Sequence, residues 1–205
     1  MLISSMGVTS SPATRSARGK PRVSKPSPGN SASTSAPHTF TNHDLTRMSA
    51  LAAFTARSLK TPSPRPFGAS IVHTKSGELL LRALNAVKQE FDPSSHAEVR
   101  AIRKATRRLK TISLAGYTLY TTCEPCPMCM SAALWASLDR VVYGATIDDA
   151  NRHCNQIHIS ATEVNDRSDM KCIGDGPVLR DQCYALFTHP NMLRAFRLWS
   201  TRRRK

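Results

Sequence analysis

Leu119-Tyr-Thr-Thr-Cys-Glu-Pro-Cys-Pro-Met-Cys-Met130 is the stretch that decides the fold of this 205-residue chain. Thr118 to Thr122 alternates like a strand, and a proline-led apolar run follows at once. Pro125 is placed to start a helix, where its missing N–H costs nothing. Cys126 and Cys129 then fall at i and i+3, on one helical face near an electropositive N-terminus that favours thiolates. Arg140 to Ala145 reads as the next strand. Strand, helix, strand implies a parallel pair with a helix laid across the sheet.

Upstream, Asp92-Pro-Ser-Ser95 reads as a turn and cap, with a helix from about His96. Val99, Ile102, Thr106 and Leu109 give it a core-facing stripe. Earlier still, Thr41 or Asn42 caps a first helix with Leu45, Met48, Leu51, Ala52, Ala56 and Leu59 on its apolar face. That helix ends near Lys60, before Pro62 and Pro64. Gly68 to His73 and Glu78 to Asn85 read as strands joined around Lys75-Ser-Gly77. Ile157-His-Ile159 is expected as a fifth strand, with helices near 177–187 and 190–201. The order predicts a three-layer α/β/α sandwich around a mixed sheet of about five strands.

The same residues carry chemistry. His96, Cys126 and Cys129 can hold zinc on three sides and leave a fourth position open, the arrangement of catalytic rather than structural zinc. Zinc in such a site makes hydroxide available near neutral pH. Glu98, two residues beyond the histidine, is not needed as a ligand and is free to move protons. Six cysteines are present: Cys123, Cys126, Cys129, Cys154, Cys172 and Cys183. No secretory signal accompanies them, so a disulfide framework is disfavoured. An iron–sulfur run would place Cys-Pro where Ala133 and Leu134 stand. A structural zinc would recruit Cys123 as fourth ligand, but that leaves Glu98 without a role. Cys123 is expected to pack inward as a small hydrophobe. Met128 and Met130 are expected to pack, and His73, His153 and His158 to be ordinary surface or core histidines.

The motif H-x-E followed by P-C-x-x-C resembles that of zinc-dependent base deaminases. Asp92 to Ala105 together with Leu119 to Met130 resembles the cytidine/deoxycytidylate deaminase superfamily, in particular its guanine deaminase and nucleoside deaminase branch. The likeness runs from about Thr41 to Ala150. It implies one zinc on His96, Cys126 and Cys129, with Glu98 as proton shuttle. It further implies Asn85 in contact with the base, Phe67 and Trp135 bordering the pocket, and a backbone N–H near Ala97 contacting the ring substituent. The reaction implied is hydrolytic release of ammonia from a nucleobase or nucleoside, a purine such as guanine or guanosine first. A homodimer is implied as well. Guanine-acting relatives carry acidic residues after the fourth strand. Asn151 to His158 has none here, so Asn155 or Gln156 would supply hydrogen bonds instead. Competing readings are a tRNA-specific adenosine deaminase forming inosine, a cytosine or cytidine deaminase, and a non-catalytic zinc-stabilised nucleic-acid-binding module.

The chain carries 29 basic and 14 acidic residues, a net +15. Five of the basic residues lie in the first 43 positions, which hold no acid, and four close the chain, leaving 20 against 14 between. Residues 1–40 read as a disordered basic Ser/Pro-rich tail, and 41–205 as the zinc-dependent deaminase domain with its C-terminal helices. The tail's composition also suits organellar targeting, against a cytoplasmic default. Arg100, Arg103, Lys104, Arg107, Arg108 and Lys110 cluster on the zinc helix and suggest either a solvated face or an RNA-facing patch. Aromatic content is 6%, with no aromatics interleaved among the basic runs. No run approaches the roughly 20 apolar residues of a membrane span.

Overall fold

A computed structural model describes residues 40–202 of the chain, with side chains to residue 198. The expected tail therefore lies almost wholly outside the described residues, as do the side chain of Trp199 and the last basic residues.

The chain starts with α1 (Asn42–Leu59), capped by Thr41. The Thr41 side chain accepts the Asp44 N–H at 3.1 Å, and the Asp44 carboxylate accepts the Thr41 N–H at 3.1 Å. The hairpin β1 (Gly68–His73) and β2 (Leu79–Leu84) follows, then the single turn α2 (Val87–Glu90) and α3 (Ala97–Leu109). Next come β3 (Tyr117–Cys123), α4 (Pro127–Trp135), β4 (Arg140–Ala145) and the short helices α5 (Ile147–Asn151) and α6 (Ala161–Asp166). The last elements are β5 (Ile173–Asp175), α7 (Arg180–Thr188) and α8 (Pro190–Arg202).

The strands form one mixed sheet in the order β2-β1-β3-β4-β5. The β1 pairings to β2 and β3 are antiparallel, while β3–β4 and β4–β5 are parallel. Neighbouring residues face opposite sides of a pleated sheet, and here that splits the core in two. Ile71, Leu119 and Val141 join Ala101, Ala105 and Met130 of α3 and α4. Val72, Tyr120 and Val142 join Met48, Leu51, Phe187 and Met192 of α1, α7 and α8. This is the three-layer sandwich. Close approach of α7 to β4 requires a glycine: a Cβ on Gly144 would lie 2.3 Å from the Cys183 sulfur.

Three expectations need correction. Ile157-His-Ile159 is not a strand; it carries no regular structure, and Ile157 is exposed. The fifth strand is Ile173–Asp175, which takes the edge beside β4 because Asp175 pairs with Arg140. The cysteine helix begins at Pro127 rather than Pro125. The residue before a proline is pushed out of helical geometry, and Cys126, at ψ 166°, obeys that rule. Met128 is partly exposed instead of packed, whereas Met130 is buried as expected. No helix among the described residues is long and apolar enough to cross a membrane.

One ion pair binds the layers. Asp44 is fully buried and accepts from Tyr120 Oη at 2.7 Å and from Arg140 Nη1 at 2.6 Å. Through Arg140 and Asp175 it connects α1 to β3, β4 and β5. Burial alone would raise the Asp44 pKa, but bonds from Arg140, Tyr120 and Thr41 outweigh it and hold the carboxyl at about 2. Because the folded pKa lies below the ordinary value of 3.8, its contribution is complete above about pH 4 and drains away as the pH falls toward 2. Asp44→Asn is predicted to cost about 3 kcal/mol, since Arg140 and Tyr120 would lose a buried charged partner. Denaturant unfolding at pH 7 and along an acid series measures both effects, and the variant's acid limb should be correspondingly shallower.

Candidate metal centre

Two helix N-termini meet at the carboxyl ends of the parallel strands β3 and β4. His96 is the N-cap of α3 and Cys126 the N-cap of α4, and neither side chain caps its own helix. Both rings of donors are thereby turned elsewhere. His96 Nδ1 lies 3.7 Å from Cys126 Sγ and 3.5 Å from Cys129 Sγ, and the three donor atoms all sit within 4.8 Å of one another. A tetrahedral zinc with Zn–N of about 2.0 Å and Zn–S of about 2.3 Å has ligand-to-ligand edges of roughly 3.6 Å. The two histidine-to-sulfur separations match those edges, so the three clustered donors fit one zinc.

Electrostatics favour the same occupant. Interaction with Cys129, with help from His96, outweighs burial and lowers the Cys126 pKa to about 4. The Cys129 thiol, donor to Cys126 and buried beside Glu98, is held well above the ordinary range. Its bond to Cys126 raises the His96 pKa against the effect of burial. Three sites crowd around protons that a divalent cation would displace.

Glu98 is buried on the first turn of α3. Its Oε1 accepts from Thr121 Oγ1 at 3.0 Å, and its Oε2 accepts from Cys129 Sγ at 3.6 Å. Burial raises its pKa above the ordinary carboxylate value, against bonds from its own backbone and from Thr121 that lower it. Sequence reading did not find Thr121; inward alternation on β3 beside a glutamate helix is the signal that points to it.

The loop before His96 is fixed by polar ties. Asp92 accepts from the Ser94 N–H at 2.8 Å and from its Oγ at 2.6 Å, while Ser95 Oγ donates to Glu90 at 2.6 Å. Arg100 reaches back to Glu90 at 2.6 Å and to the Leu84 carbonyl, and Arg103 reaches Asp92 at 3.2 Å. Arg108 donates to the Leu80 carbonyl at 2.8 Å. Three arginines of the basic helix thus bond to its own surroundings, although Arg103 and Arg108 stay exposed beside Lys104, Arg107 and Lys110.

The other expected site residues separate. Asn85 lies at the end of β2, and its N–H donates to the Phe67 carbonyl at 3.0 Å. The next residue, Ala86, donates to the carbonyl of Ser95, directly before His96. The Asn85 Oδ1 accepts from Val87 N–H at 3.2 Å. Phe67 meets the Phe187 ring edge-on at 5.2 Å, bridging both core clusters. Ala97 is the first residue of α3, where an N–H lacks an intrahelical partner. Trp135 is not brought to the cluster. It ends α4, nine residues beyond Cys126 and so about 13 Å along the helix. It is 76% exposed and borders a cleft with Ile159, Val164 and Arg167. Cys123 is buried, with Sγ 3.6 Å from the Thr146 carbonyl, and is not one of the clustered donors. His73 bonds Ser76 in the hairpin turn, and the His153 ring stacks with Phe187.

Comparison with known proteins follows the same lines. The sequence pattern of the family described as the cytidine and deoxycytidylate deaminase zinc-binding region matches residues 41–145. Guanine deaminase of Bacillus subtilis (strain 168) is 48% identical over 85 residues, which cover 42% of this chain and 53% of that protein. A tRNA-specific adenosine deaminase of Aquifex aeolicus (strain VF5) is 45% identical over 80 residues, 39% of this chain and 52% of that protein. The chain spans about half the length of these curated relatives. A solved structure of guanine deaminase from Nitrosomonas europaea superposes with a TM-score of 0.64 at 23% identity, over 74% of this chain and 83% of that one. At that identity the likeness is one of fold.

The geometry predicts one zinc per chain by elemental analysis. Replacing His96, Cys126 or Cys129 by alanine should empty the site, whereas Cys123→Ala should retain full occupancy.

Proposed function

Because this chain belongs to the cytidine and deoxycytidylate deaminase zinc-binding family, we propose that it hydrolytically removes an exocyclic amino group, as ammonia, from a nucleobase or nucleoside. A purine, guanine or guanosine, is the proposed substrate. The observation that carries this reading is Glu98, buried with Oε2 3.6 Å from Cys129 Sγ and left over once three donors are assigned to metal. A structural zinc gives such a carboxyl no task. We assign His96, Cys126 and Cys129 as the metal ligands. Zinc bound there supplies a Lewis acid that makes hydroxide available near neutral pH.

The chain's own residues do the rest. Glu98 takes a proton on a carboxylate oxygen and delivers it to the ring nitrogen as the amino carbon becomes tetrahedral. Both protons come from the water that adds to that carbon: Glu98 next takes the remaining proton of the added hydroxyl and gives it to the amino group, the C–N bond breaks, the oxygen stays on the ring as a carbonyl and ammonia departs. Thr121 holds Oε1 and so keeps Oε2 aimed at the reacting side. The amide hydrogens of Asn85 and the first-turn N–H at Ala97 offer donors to a ring carbonyl or ring nitrogen. Phe67 supplies an apolar wall. Similarity to a guanine deaminase over 85 residues supports a purine.

Adenosine within tRNA is the second reading. It is supported by the tRNA-specific relative and by a net charge of +15, much of it at the chain ends. Binding that weakens steeply with salt would accompany it.

Ammonia release from guanine, guanosine, adenosine, cytosine, cytidine, ammeline and tRNA tests the proposal on the zinc-loaded chain. Guanine or guanosine should turn over fastest. Glu98→Gln should keep its zinc and lose roughly 10²- to 10⁴-fold in kcat. Asn85→Ala should raise KM by about tenfold. Undiminished ammonia release by a zinc-replete Glu98→Gln protein would overturn the assignment.

A further inference from the structure

Glu124 stands between β3 and α4, one residue after Cys123 and two before Cys126. It is neither a clustered donor nor the buried proton carrier. Its carboxylate is instead committed to the backbone of two other elements. Oε2 accepts the Ile147 N–H at 3.2 Å, and Oε1 accepts the Ala161 N–H at 3.0 Å. Ile147 opens α5 and Ala161 opens α6. Each contributes an N–H that its own helix leaves unsatisfied. One side chain therefore holds both ends of the 147–161 segment, and the Glu124 N–H, 2.7 Å from the Ala145 carbonyl, fixes the anchor itself to β4.

The segment needs such an anchor. From 155 to 160 it has no helix or strand, and Asn155 and His158 are exposed. Its link to the metal-binding turn runs through Glu124, two residues before Cys126. The His153 ring stacks on Phe187 at 6.1 Å, and Phe187 meets Phe67 at 5.2 Å. Hydrogen-bonding side chains are thus carried on a stretch with no ladder of its own, suspended from a residue in the metal-binding turn.

We propose that Glu124 is a positioning residue for substrate recognition: by tying Ile147 and Ala161 it sets the place of the Asn155–Gln156 amides against the substrate ring. The inference rests on the deaminase reading and adds to it where ring-edge selectivity is held.

The test compares zinc-loaded wild type, Glu124→Gln and Glu124→Ala, with guanosine and unmodified tRNA as probes. Glutamine keeps one acceptor oxygen and sets its NH₂ against the other N–H, so one tie survives; alanine removes both. KM should rise by roughly tenfold in the alanine variant and by less in the glutamine variant, with kcat within about twofold of wild type. Amide exchange across 147–161 should accelerate in the same order while zinc content stays at one per chain. A fall in kcat at constant KM would put Glu124 in the chemistry and overturn the proposal. Unchanged exchange across 147–161 would overturn it too. Should wild type release no ammonia from either probe or from any free base or nucleoside, the deaminase reading is what has failed. Exchange then decides alone whether Glu124 anchors the segment.

Discussion

Two helices give up their caps. An N-cap side chain is ordinarily spent on its own first turn, a bond worth about 1 kcal/mol. Thr41, Thr146 and Ser160 do this for α1, α5 and α6. His96 and Cys126 hold the same position on α3 and α4 and make no such bond. Their side chains turn to a common point, where the positive ends of both helices favour anionic sulfur. Everything else in the site is arranged around that exchange of capping for coordination. Its cost is offset by the packing of Ala97, Ala101, Ala105, Met130 and Ala133 against Ile71, Leu119 and Val141.

Position then follows from topology. β3 and β4 run parallel, so both deliver their carboxyl ends to one edge of the sheet, where α4 departs and α3 arrives. The opposite end is closed by Asp44, Arg140, Tyr120 and Asp175. One end of the sheet thus carries a satisfied ionic network and the other carries three donors and an underemployed glutamate. Glu98 owes its raised pKa to burial, and its burial to the same alanine-rich face of α3 that packs on the sheet. Stability and the proposed proton transfer are tied to one helix.

Much of this was legible in local pattern. β1 and β4 fall at the residues their alternation predicts, and the cap at Thr41, the i, i+3 cysteines and the free glutamate need no tertiary information. The inward packing of Cys123 follows from its place at a strand end. What escaped was non-local. β5 is three residues with a Gly and an Asp, both poor strand formers, and its reason for existing is an arginine 33 to 35 positions earlier. Ile157-His-Ile159 has a better strand pattern but pairs with no strand of the sheet. The basic cluster on α3 read as a possible nucleic-acid face, yet Arg100, Arg103 and Arg108 find partners on the preceding loop and strand. Trp135, expected to border the pocket, is exposed at the end of the cysteine helix and lines a cleft with Pro127 and Ile159. The one boundary error within reach of a simple rule was the start of α4, since Pro127 forbids helical geometry at Cys126.

The central claim is that three protein donors hold the metal and leave a fourth position for chemistry. X-ray absorption at the zinc edge of the loaded full-length protein reads this directly. The account predicts two sulfurs at about 2.3 Å, one nitrogen at about 2.0 Å and one oxygen in the remaining position. Three sulfurs and one nitrogen with no oxygen would mean that Cys123 has closed the site, and would contradict it.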